Sequence, residues 1–124
     1  SKLKITKLAA KQGFKLVITT DHGKKKKKKP SQVVGDRETS TNIRYKTGKS
    51  LTYDEKDVWA ITNPEKLFLP KGNLSSKYIF AKNNIFLAYP KNYNHFVNYY
   101  KDTYQHGGIS LEEIIIPISI LEPK

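Results

Sequence analysis

The sequence predicts an α/β fold in which helices flank part of a sheet and a β-hairpin is added to it. Three observations predict it. Residues 1–12 place Leu3, Leu8 and Ala9 near one another on a helix, and an apolar run, Leu16-Val17-Ile18, follows directly. A second apolar run fills residues 114–121. Two aromatic-rich runs, 77–81 and 85–89, are separated by Lys82-Asn83-Asn84, where asparagine tolerates the left-handed backbone of a hairpin turn.

Taken in order, the first helix should stop at Gly13, and Phe14 should begin the approach to the strand. Three bulky apolar residues in a row suit a strand buried on both faces, as in the middle of a parallel sheet. The chain then turns abruptly polar at Thr19, Thr20, Asp21, His22 and Gly23. Strand ends of open α/β sheets are where ligands bind. Asp21 and His22 are either ligands brought together by a turn at Gly23 or a loop-capping pair.

Residues 24–29 are six uninterrupted lysines and account for half of the formal charge of +12. Like charges repel, so the run is expected to be a flexible, solvated loop that affects solubility. The alternative is a patch that attracts polyanions. Val33-Val34 then form a short strand ending at Gly35-Asp36. The polar stretch 37–49 is read as a loop. Its Thr41, Asn42 and Arg44 can present hydroxyl, amide and guanidinium donors to a phosphate, with Arg44 the best of them; the competing reading is a surface loop that satisfies its own backbone.

Trp59 lies in a short strand, and Asn63-Pro64 opens a brief helix limited by Pro70 and Gly72. Trp59, Leu67 and Phe68 are expected in the core. Phe96, Tyr99 and Tyr100 recur at helical spacing within 92–104, which favours packing over base stacking. Near the end, His106-Gly107-Gly108 lets the backbone pass close to an ion or phosphate. Ser110 and Glu113 have capping-box spacing, and Glu112 is free to support a ligating histidine. Pro117 demotes the last strand toward a sheet edge.

The three ordered elements TDHG, VVGD…TSTNIRYK and QHGGISLEE, spread over nearly the whole chain, resemble the C-terminal portion of a PglZ domain. That family belongs to the alkaline phosphatase superfamily, and the likeness is greatest to the output domain of PorX-like response regulators. The resemblance implies a partial alkaline-phosphatase-like sheet and a two-zinc site. Asp21 and His22 would ligate one zinc and His106 the other. It further implies a cytoplasmic phosphodiesterase or phosphatase acting on phosphoesters such as oligonucleotides, as the output domain of a two-component system. The nucleophile and remaining ligands would come from the upstream part of the same domain, so residues 1–124 would be its C-terminal portion and inactive alone. Rival readings are a nucleic-acid or polyanion-binding module and a regulatory, homodimerising output without catalysis.

Composition narrows the field. The 37% hydrophobic content is low for a free-standing globular domain. The chain has no cysteine, which excludes disulfides and thiolate metal sites. No apolar run approaches membrane-spanning length, and no signal peptide is visible. With no methionine and a start within a helical pattern, the chain is expected to belong to a longer polypeptide.

Overall fold

The computed structural model describes residues 2–72 and 75–123. The order is α1 (Lys2–Lys11), β1 (Leu16–Thr19), β2 (Lys25–Lys26), β3 (Lys29–Gln32), β4 (Val34–Gly35), β5 (Tyr45–Gly48), β6 (Leu51–Thr52) and β7 (Val58–Ile61). After a 3-10 turn at Pro64–Leu67 come β8 (Lys77–Ala81), β9 (Ile85–Ala88), α2 (Tyr93–Tyr100), β10 (Tyr104–Gln105), α3 (Leu111–Ile114) and β11 (Ile118–Leu121). Among the described residues the strands form five short sheets: β1–β11, β2–β10, β3–β9, β4–β6 and the three-stranded β5–β8–β7. Only β3–β9 is parallel. The fold is mixed α/β, as expected, but assembled from small pieces.

The core lies away from both termini. Val33, Val58, Ile79, Ala81, Ile85 and Leu87 pack together, with Leu51 and Tyr53 against them. Asp36 pins the adjoining turn: its carboxylate accepts from the Glu38, Lys49 and Ser50 amides and from the Thr39 hydroxyl.

Several expectations are corrected. β1 is not central in a parallel sheet; it pairs antiparallel with β11 alone, and Val17 and Ile18 are exposed. β8 and β9 flank the expected turn, with Asn83 at φ 45°, but they do not form a hairpin ladder. β9 pairs with β3 and β8 with β5 and β7, because both aromatic runs carry buried side chains that need neighbours in separate sheets. Part of the presumed loop 37–49 is strand β5. Trp59, Leu67 and Phe68 are exposed rather than in the core. Trp59 instead packs its ring under the Lys82 ammonium, 4.7 Å away.

The lysine run is not a solvated loop. Its residues 25–26 and 29 belong to β2 and β3, and four of the six lysines each meet a different acid: Lys25 with Glu112 at 2.7 Å, Lys26 with Asp102 at 3.3 Å, Lys27 with Glu113 at 3.2 Å, Lys29 with Asp57 at 3.5 Å. Self-repulsion was the reason to expect a mobile segment. Acids brought in from distant parts of the chain remove it.

Candidate metal centre

Two antiparallel pairings build the site. β1 leads into Asp21-His22, while β11 leads away from the HGG segment, and Thr19 lies opposite Ile118. β2 begins three residues after His22 and β10 ends one residue before His106, with Lys25 opposite Gln105. The two histidine-bearing segments are therefore tied together on both sides. The rings of His22 and His106 stack with centroids 3.9 Å apart and planes tilted by 18°.

Each glycine here has a separate steric task. Gly23 does not take a left-handed angle; it is needed because a Cβ there would lie 2.1 Å from the Glu112 carbonyl oxygen. Its amide donates to the Glu113 carbonyl at 3.2 Å. Gly107 turns the chain at φ +94°, and a Cβ there would meet the Asn42 side chain at 2.8 Å. At Gly108 a Cβ would sit 2.3 Å from the Glu113 carboxylate.

Glu113 joins these segments. Its carboxylate receives a bidentate pair from Arg44, Nε at 2.7 Å and Nη2 at 2.9 Å, together with Lys27 Nζ at 3.2 Å and the Ser110 hydroxyl at 2.7 Å. Lys27, Arg44 and Glu113 are all buried. Burial alone would raise the Glu113 carboxyl, but hydrogen bonds from Arg44 and Ser110 and the two positive charges outweigh it and hold the group down to about 2. Lys27 is the poorer-paired cation, because Arg44 occupies the bidentate face. Burial first, then repulsion by Arg44, push its ammonium down to about 8 despite Glu113.

This cluster decides the role of Arg44. Its remaining bonds go to the Ile85 and Asn83 carbonyls, so the guanidinium is spent inside the protein and does not face a phosphate. Asn42 uses its carbonyl oxygen to cap the Arg44 and Tyr45 amides while its side chain lies against Gly107 beside His106. Thr41 is exposed and borders a different cavity, described below. The Ser110–Glu113 pair meets side chain to side chain rather than as a capping box. Glu112 is exposed and holds Lys25, whose hydrogen bond draws its carboxyl down to about 2, instead of supporting a histidine.

The donor chemistry suits a divalent cation. His22 Nδ1 lies 2.9 Å from the Gly23 carbonyl, which can only accept, so the neutral ring carries its proton there and leaves the Nε2 lone pair free. Asp21 Oδ2 is 3.6 Å from that nitrogen. An ion held tetrahedrally by nitrogen and oxygen at ~2.0–2.1 Å keeps those atoms roughly 3.3 Å apart. Among the described residues, however, no three His, Asp or Glu side chains form a ready-made donor group. Asp21, His22 and His106 fit zinc by chemistry but do not complete a site.

The family model for the BREX system PglZ alkaline phosphatase-like domain matches residues 2–120. The chain thus belongs to the PglZ family, whose alkaline-phosphatase-like character points to phosphoesterase-type chemistry. No curated protein matches it. Sequence reasoning singled out both histidines, which the structure brings together, but assigned Glu113 only a capping role and not the link between their segments. The signal was there in an acid three residues after a serine and five after a glycine that tolerates no side chain.

Proposed function

We propose that this chain contributes part of a two-zinc phosphoesterase centre, with Asp21 and His22 serving one ion and His106 the other. The stacking of the two imidazoles carries the reading. Nearly parallel rings this close do not converge their in-plane lone pairs on one ion, an arrangement compatible with two neighbouring ions. The 3.9 Å ring spacing matches the ~3.5–4 Å between metals in two-metal hydrolases. Such a pair stabilises the attacking and leaving oxygens of a phosphoryl group. Three donors are too few for two ions, so the nucleophile and other ligands come from outside these residues, in the upstream part of the same domain. The exposed apolar side chains of α1, β1 and β11 offer that part a surface, since a two-stranded ribbon is not stable by itself.

An oligonucleotide or similar phosphodiester is the proposed substrate. An open groove of about 450 Å³ beside the site is lined by Lys24, Lys26, Lys28, Asn83, Asn84 and Tyr104 and by the Lys25–Glu112 ion pair, whose acid is neutralised by its partner. Lys24 and Lys28 have no ion-pair partner among the described residues, and the exposed Tyr104 ring is placed to stack a base two residues before His106. The placement as a response-regulator output domain rests on the likeness of the three motifs alone, because the family description names the BREX system. The same groove favours the rival reading, polyanion binding without chemistry.

Hydrolysis of a bis-aryl phosphodiester and of short oligonucleotides by the intact protein, with and without a chelator, tests the proposal. Zinc-restored turnover is expected from the intact protein, and little or none from residues 1–124 alone. Oligonucleotide binding that persists in chelator, with no turnover at any zinc concentration, would establish the binding module instead.

A further inference from the structure

The two fully buried lysines nearest the core are treated differently. Lys27 has Glu113, whereas Lys46 has no carboxylate among the described residues. Its Nζ donates to the Ser40 carbonyl at 3.0 Å and lies 4.0 Å from the centre of the Tyr89 ring. The Tyr89 hydroxyl donates to the same carbonyl at 2.8 Å, so both polar groups crowd one acceptor. An ammonium has three N–H donors, and a third is left over.

A buried cation without an anion is costly unless something supplies one. Lys46 borders a cavity of about 280 Å³ whose other walls are Ile43, Leu87, Tyr89, Phe96 and Tyr100, with the exposed Thr41 at its rim. The Phe96 and Tyr100 rings on α2 are nearly parallel, at 8° with centroids 6.2 Å apart, which suits a flat body. Lys46 is the only charged residue of the lining, whose other polar side chains are the hydroxyl-bearing Thr41, Tyr89 and Tyr100. Binding pockets of this kind are mostly apolar with a few placed polar groups.

We propose that this cavity binds a small organic monoanion with a flat apolar body, its carboxylate paired with Lys46 and its ring between Tyr89 and the α2 aromatics. A phosphate dianion would bring more charge and more acceptors than a single ammonium can satisfy. The site is separate from the histidine pair and does not depend on phosphoester chemistry.

The test is calorimetric titration of the intact protein with 2-naphthoate and with its uncharged amide. The carboxylate should bind at least about tenfold more tightly than the amide, as a charge-assisted bond implies. Lys46→Met should erase that preference, while Lys46→Arg should keep it. Thr41→Trp, which fills the rim without touching the amine, should weaken both ligands. If Lys46→Met does not fold, the Arg and Trp variants decide. Equal affinity for acid and amide, a preference that survives Lys46→Met, or no effect of Thr41→Trp would overturn the assignment.

Discussion

The His106 ring lies on the His22 ring, 3.9 Å between centroids, although 84 positions separate them in the chain. Neither residue is held by its own helix or by a large sheet. Two short antiparallel pairings and one buried carboxylate do the positioning.

If the stacked imidazoles serve adjacent zinc ions, His22→Ala and His106→Ala should each lower zinc affinity by more than the ~10–100-fold that loss of an outer-shell partner costs. Zinc retained after dialysis, measured by mass spectrometry on the intact protein, is the readout. Wild-type zinc content in both variants would remove the metal assignment while leaving the fold untouched.

Glu113→Gln should destabilise the protein by roughly 3–5 kcal/mol in urea denaturation, because Arg44 and Lys27 would remain as buried, uncompensated cations. A loss below ~1 kcal/mol would mean the cluster is open to water.

The same carboxylate sets the acid limb. Its folded pKa is about 2 against an ordinary 4.5, so the folded state binds the proton less readily than the unfolded one. Its contribution is complete above pH 4.5 and disappears as pH falls toward 2, an amount on the order of 2–3 kcal/mol. Glu113→Gln should flatten that limb of the stability profile.

Lys46 works in the opposite range. Burial pushes its ammonium down to about 8 from 10.5, so the folded state sheds the proton first and stability rises between pH 8 and 10.5. Without ligand, Lys46→Met should be more stable than wild type at pH 7 by about 1–3 kcal/mol, and the difference should shrink across that window. A gap independent of pH would show that the amine titrates alike in the folded and unfolded states, so that burial does not shift it.

Within the lysine run the pairings predict unequal effects. Lys24→Ala and Lys28→Ala, at exposed positions without an ion pair among the described residues, should stay within about ±0.5 kcal/mol. Lys27→Ala, which empties a fully buried position, should cost about 2–3 kcal/mol. Equal effects at all three positions would restore the picture of a solvated loop.

The residues themselves determined the local chemistry. The helix over α1, the apolar runs that became β1 and β9 and the turn at Asn83 follow from side-chain type and spacing, which act over a few residues, while the three candidate ligands Asp21, His22 and His106 follow from the likeness of the motifs that carry them. The tertiary structure alone decided which partners those residues meet. Six lysines read as self-repelling until Asp57, Asp102, Glu112 and Glu113 arrive from distant positions, and Arg44 reads as a phosphate grip until Glu113 claims its guanidinium. Charge pairing and burial are long-range properties, so no local pattern encodes them, and the meeting of the two imidazoles belongs to the same kind.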